Sequence, residues 1–222
     1  MAEHDETPEL DSRPQSRREW SGYMRSLVLP LGLVVAIVAG LLFYQSIRDG
    51  GSAAQDGYGT VALPAEKNAT TREPAAEQGR AAPDFLLRDL DGGEVRLSDL
   101  QGRPVLVNFW ATWCTTCRVE MPELIAAYDK HGASEGLVVL GVNLRESEAR
   151  ARPFVEDFGM NFPVLMDRSG EVARTWRIGG PNEGVPSSYF IDRDGVVQKV
   201  VFGLLSEKTL NESLALILAP RG

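Results

Sequence analysis

The chain has two cysteines, Cys114 and Cys117, and they stand three apart in Cys114-Thr115-Thr116-Cys117. Ahead of them runs Val105-Leu106-Val107-Asn108-Phe109-Trp110, a near-continuous apolar stretch of the kind carried by a strand covered on both faces. After them the pattern predicts a helix over Cys114 to His131, with Leu124, Ala127 and Tyr128 on one face. Two cysteines at this spacing across a first helical turn can close a disulfide with little backbone strain. Cys114 falls at or just before the N-cap, where unpaired N–H groups and the helix dipole stabilise a thiolate. Its thiol is therefore expected to ionise more readily than a free one and to be the exposed, attacking sulfur. Cys117, inside the helix, is expected to be more buried and to act as the resolving thiol. The same pair also fits a static disulfide or half of an intermolecular zinc site. A static staple around so small a loop removes little unfolded-state entropy, and two cysteines alone cannot complete a four-ligand zinc site. No metal and no cofactor is expected.

Composition narrows the field further. Of 222 residues, 31 are acidic and 23 basic, a net charge of -8. No basic surplus exists to neutralise phosphates, so nucleic acid is not expected as a partner. The two histidines, His4 and His131, are too few for multi-histidine metal chemistry.

The elements that must position the cysteines occupy part of the chain. Residues 1–26 are polar, with no apolar period, and read as a cytoplasmic tail. Leu27 to Tyr44 is an uncharged apolar run, LVLPLGLVVAIVAGLLFY, and at about 1.5 Å per residue it nearly matches the hydrocarbon thickness of a bilayer. Residues 27–44 are thus expected to be a transmembrane anchor. Arg13, Arg17, Arg18 and Arg25 precede it and only Arg48 follows closely, which puts the N-terminus in the cytoplasm and the rest outside. The run exceeds a signal-peptide core of about 7–15 residues, so an uncleaved anchor is expected. Residues 45–82 read as a flexible tether. From Asp49 to Ala82, 16 of the 34 residues are Ala, Gly or Pro, too few large apolar groups to offset the entropy of ordering.

Residues 83–222 remain as the folded unit. Phe85 to Asp89 and Glu94 to Leu97 flank Asp91-Gly92-Gly93, a hairpin signal. Leu137 to Val142 reads as a second buried strand, Glu148 to Phe158 as a helix, Phe162 to Met166 as a strand and Glu171 to Trp176 as a helix. Ser188 to Asp192 and Val196 to Phe202 form a second hairpin through Arg193-Asp194-Gly195, and Glu207 to Leu218 closes as an amphipathic helix. Alternation of strands and helices gives an α/β mixed sheet with helices on both faces.

Phe109-Trp110-Ala111-Thr112-Trp113-Cys114-Thr115-Thr116-Cys117 resembles the active-site stretch of the thioredoxin superfamily. Pro122, five residues after Cys117, matches a proline inside that family's active-site helix. Gly184-Val185-Pro186-Ser187-Ser188 resembles the loop in which a cis-proline faces the cysteine pair. Ala82-Pro83-Asp84-Phe85, with Leu97-Ser98-Asp99-Leu100 and Gly102, resembles the membrane-anchored TlpA/ResA-like branch, whose members serve extracytoplasmic thiol reduction, including apocytochrome c maturation. This resemblance covers Pro83 to Gly222. It implies a thioredoxin-like sheet with an N-terminal β-hairpin extension after a single transmembrane helix, a redox dithiol, disulfide-containing protein clients such as apocytochrome c, and a membrane electron donor of the thiol-reducing type.

The resemblance also assigns roles to residues. Glu120, three beyond Cys117 and so on the same helix face, stands where the family has a glutamate near the cysteines and is expected to tune thiol ionisation or relay protons. An ordinary solvated glutamate is the alternative. Trp113, Val185 and Pro186 are expected to contact the client, Pro186 leaving a backbone edge free for an extended peptide; Trp110 is expected in the core. Asn108 departs from thioredoxins, which have a buried aspartate there. An amide cannot titrate, so that role passes to Glu120. The longer stretch Ile178 to Glu183 is expected beside the active site.

Three other functions compete. A peroxidase is suggested by the likeness of Pro83 to Leu100 to peroxiredoxin-like chains, but those need a proline seven and a Thr or Ser three residues before the cysteine, where this chain has Val107 and Ala111. A copper-delivery module of this fold needs Cys-x-x-x-Cys and a nearby histidine. A tethered, non-catalytic peptide-binding domain along the Pro186 edge is the non-enzyme reading.

Overall fold

A computed structural model describes residues 34–41, 58–179 and 184–219; the chain divides into two units, Met1–Gly51 and Ser52–Gly222. In the first, residues 34–41 form a helix, α1, whose Val34, Val35, Ile37, Val38 and Leu41 are exposed. The rest of the expected anchor and the 1–26 tail lie outside the described residues. Among those described, no helix is long and apolar enough to cross a membrane.

The second unit is built on a strand whose neighbours alternate. In β4 (Val105–Trp110), Val105, Val107 and Phe109 join one buried cluster, while Leu106 and Trp110 join another, as a pleated strand buried on both faces requires. It pairs in parallel with β5 (Val138–Leu144), which pairs in parallel with β6 (Val164–Asp167). On its other side β4 pairs antiparallel with β7 (Ser187–Ile191), and β7 with β8 (Val197–Phe202). The order is β6-β5-β4-β7-β8, the mixed thioredoxin-like sheet. Helices α2 (Thr115–Glu135), α3 (Glu148–Phe158) and α5 (Glu207–Leu218) cover one face. The other is covered by α4 (Glu171–Thr175) and by a smaller antiparallel sheet of β1 (Gly59–Thr60), β2 (Phe85–Arg88) and β3 (Glu94–Arg96).

Both hairpins expected from sequence form, and for one reason. Asp89 Oδ1 accepts the N–H groups of Asp91 (2.9 Å) and Gly93 (2.7 Å), and Asp192 Oδ1 accepts those of Asp194 (2.9 Å) and Val196 (3.0 Å), so an aspartate side chain holds each turn. Helix α2 runs a turn beyond the expected end at His131. It passes Gly132 and stops where Gly136 takes a left-handed conformation (φ 75°) and donates its N–H to the His131 carbonyl.

The expected tether over 45–82 is corrected by the structure for residues 58–82. Thr60 pairs with Phe85, and Ala81 bridges to Val196. The N–H of Gly79 donates to Val197 O (2.8 Å) and that of Ala82 to Gly195 O (2.9 Å), while Ala76, Ala81 and Ala82 are buried. Counting large apolar residues missed this, because a segment that borrows strand edges and buries alanines needs few of them.

Candidate active site

The parallel strands deliver the cysteines. β4 ends at Trp110, which is fully buried against Phe154 of α3 (ring centroids 4.6 Å apart), and five residues later α2 begins. Cys114 is the N-cap of α2: its Sγ accepts the backbone N–H of Cys117 at 3.1 Å. The two cysteines are joined as a disulfide with Cα atoms 5.3 Å apart. Cys117 has no exposed surface and Cys114 only 4 %, so Cys114 is the more accessible, as expected, yet less exposed than the sequence reading supposed. Its flanks are open instead. Trp113 is 63 % exposed, and Thr115 and Thr116 are exposed.

The loop before Cys114 is held by a residue the sequence reading did not single out. Glu146 is buried just past β5; its Oε2 accepts the Thr112 N–H (2.8 Å) and the Asn143 side-chain amide (2.9 Å), and its Oε1 accepts the Thr112 hydroxyl (2.6 Å). The signal available was an Asn and a Glu closing an otherwise apolar strand, with nothing in their spacing from the cysteines to connect them.

Glu120 is not a solvated helix residue. It is 1 % exposed and accepts hydrogen bonds from Asn108 Nδ2 (2.8 Å) and the Leu205 N–H (2.9 Å). Burial lifts its pKa to about 7, and the two hydrogen bonds keep it from rising further. Asn108 also donates to Ser188 Oγ of β7 at 3.0 Å. One carboxyl group thereby links α2, β4 and the β8–α5 connection, and through Asn108 it reaches β7.

Val185–Pro186 is a cis peptide bond. Because Ser187 lies opposite Phe109, Pro186 stands at the end of the sheet from which β4 leads to Cys114. Its carbonyl accepts the Gly203 N–H (2.9 Å), and Val185 packs against the cluster that holds both cysteines. Trp110 is in the core, as expected. The 178–183 stretch is described only as far as Gly179, so its expected place beside the site lies outside the described residues. Among the described residues no group of three or more His, Cys, Asp or Glu could hold a metal ion.

Residues 78–200 match the AhpC/TSA family. The thiol-disulfide oxidoreductase ResA of Geobacillus thermodenitrificans is 37 % identical over 150 residues, covering 66 % of this chain and 82 % of that protein. The chain belongs to the AhpC/TSA family, among the ResA-like thiol-disulfide oxidoreductases of the thioredoxin superfamily. ResA of Bacillus subtilis is 36 % identical over 140 residues, covering 63 % of this chain and 75 % of that protein. Among solved structures, a thiol:disulfide interchange protein of the thioredoxin family from Chlorobium tepidum TLS superposes with a TM-score of 0.56 at 29 % identity, covering 67 % of this chain and 99 % of that one. MTB DsbF, solved in mixed oxidised and reduced forms, gives 0.54 at 27 % identity, covering 60 % and 94 %. The ResA-like chain therefore carries a Cys-x-x-Cys disulfide on a thioredoxin fold and is an oxidoreductase of thiols and disulfides. Although the AhpC/TSA family gives the matched domain its name, Val107 and Ala111 occupy the positions at which a peroxidase would need its proline and hydroxyl.

Proposed function

We propose that this ResA-like domain reduces disulfides of protein clients outside the cytoplasmic membrane, held there by an anchor over residues 27–44. In the dithiol form, the Cys114 thiolate attacks one client sulfur, the client disulfide breaks, and its second sulfur leaves as a thiolate that takes a proton. Cys117 then loses its proton and attacks Cys114, which releases the reduced client and leaves the Cys114–Cys117 disulfide. Glu120 is the group that takes or gives protons during resolution, and Trp113, Val185 and Pro186 hold the client. Two electrons from a membrane donor of the thiol-reducing type reset the pair, since an oxidising compartment would otherwise keep it as a disulfide. Apocytochrome c, with its own cysteine pair, is the client the family likeness favours.

The observation that carries this reading is the N-cap position of Cys114. Its sulfur receives an N–H from the first turn of α2, the place at which an anionic sulfur is stabilised, and the second sulfur is bonded to it. Reduction of insulin disulfides by the protein with dithiothreitol as donor tests the reading. Turnover that falls to the dithiothreitol background in Cys114→Ser supports it; undiminished turnover overturns it. A double Cys→Ser variant that retained client function in cells would favour a binding role instead.

A further inference from the structure

Asn108 stands in a position that its neighbours do not explain as packing. It projects from β4 on the face shared with Leu106 and Trp110, is 1 % exposed, and donates from one nitrogen to two partners, Glu120 Oε1 at 2.8 Å and Ser188 Oγ at 3.0 Å. Its own Oδ1 is buried with no hydrogen-bond partner, an arrangement that costs free energy unless something is gained from it. Resting on the proposed proton role of Glu120, we infer that Asn108 is a positioning residue for that carboxyl group: by turning over, its amide can hydrogen-bond Glu120 whether or not the carboxyl carries a proton.

The bookkeeping of donors and acceptors is specific. With Glu120 as carboxylate, the two Nδ2 hydrogens go to Glu120 and Ser188, both acting as acceptors. When Glu120 takes a proton, its O–H becomes a donor and would meet the N–H₂ group head-on. Half a turn of the amide puts Oδ1 in that place, where it accepts from the Glu120 O–H and from the Ser188 hydroxyl, because a serine hydroxyl can serve in either sense. The turn exchanges one unpartnered group for another: Oδ1, which has no partner to lose, gains two, and the N–H₂ group moves into the place that Oδ1 leaves. Both protonation states of Glu120 are populated near neutral pH, its pKa being about 7. The carboxyl is held by Asn108 from β4 and the Leu205 N–H from the β8–α5 connection, and the buried Cys117 lies three residues earlier on α2. The Leu205 N–H holds Oε2 at 2.9 Å, so the carboxyl group is fixed while the amide moves. An aspartate at 108 could not act in this way, because it would share a proton with Glu120 and titrate with it.

The test follows the Asn108 side-chain N–H₂ signals by NMR across pH 5 to 9, with the Glu120 carboxyl carbon observed in the same reduced protein. The two are expected to move with one midpoint, and the Asn108 signals are expected to stay still in Glu120→Gln. In insulin reduction at pH 7, Asn108→Leu is expected to lower kcat tenfold or more with KM within twofold. In a Glu120→Gln background the same substitution should change kcat less than twofold. Equal losses in both backgrounds, or an amide that does not move while Glu120 titrates, would overturn the inference. Should Asn108→Leu fail to fold, Ser188→Ala gives the same comparison with a smaller expected loss of about threefold. If the unaltered protein does not reduce insulin, the proposed function fails, and the NMR comparison still decides the role of Asn108.

Discussion

Glu146 reaches from the end of β5 to both hydrogen-bonding groups of Thr112, the backbone N–H at 2.8 Å and the hydroxyl at 2.6 Å. Thr112 lies two residues before Cys114, so a carboxylate just past the neighbouring strand fixes the approach of the chain to the helix cap. Removing it leaves the half-buried N–H and hydroxyl of Thr112 and the buried amide of Asn143 without their acceptor, which costs about 1–3 kcal/mol. Glu146→Ala is therefore expected to lower the unfolding free energy from urea titration by that amount and to slow insulin reduction. Glu146→Gln, which keeps one acceptor oxygen, is expected to lose less of both. Equal loss in the two variants would show that the one retained acceptor oxygen contributes nothing.

The buried carboxyl of Glu120 makes stability depend on pH with a definite sign. Its folded pKa, about 7, lies above the ordinary value of 4.5, so between these values the folded state keeps a proton that the unfolded chain gives up. The contribution is full below about pH 4.5 and is lost as pH rises through 7. Taken over that interval it amounts to about 3 kcal/mol. Burial also raises the pKa of Asp167, against the backbone N–H groups that its carboxyl accepts, and this acts in the same direction. Because Asp167 is unchanged in Glu120→Gln, the difference between the two proteins isolates Glu120. Urea unfolding from pH 5 to 8.5 is expected to show the variant gaining on the parent as pH rises. A constant offset would contradict the raised pKa.

Residues 58–82 belong to the folded unit, and their removal should be felt. A fragment of residues 83–222 loses β1, the Ala81–Val196 bridge and the backbone hydrogen bonds of Gly79 and Ala82. At about 0.5–1.5 kcal/mol for each hydrogen bond, it should be less stable than a 58–222 fragment by at least about 2 kcal/mol. Equal urea midpoints for the two fragments would restore residue 83 as the domain boundary.

Much of the sheet was legible because β4 and β5 are apolar on both faces and each hairpin carries an aspartate–glycine turn. The cysteine pair was legible too, since the strand-to-helix switch at Trp110 and Cys114 shows in the pattern. Glu120 could be placed near the cysteines by helical spacing, but not its burial, which depends on Asn108 and on a Leu205 N–H 85 residues away. Glu146 was invisible for the same reason: its partner Thr112 lies 34 residues away, in the loop between β4 and α2. The 58–82 segment misled because ordering by edge pairing leaves little mark in composition.

The most direct test of the central claim is to trap the intermediate. Cys117→Ser removes the resolving sulfur, so the variant, offered insulin or a disulfide-bonded peptide, should accumulate a mixed disulfide that mass spectrometry assigns to Cys114, while Cys114→Ser under the same conditions forms none. No adduct on Cys114 in the Cys117→Ser protein, or turnover equal to the parent's without Cys114, would contradict the account.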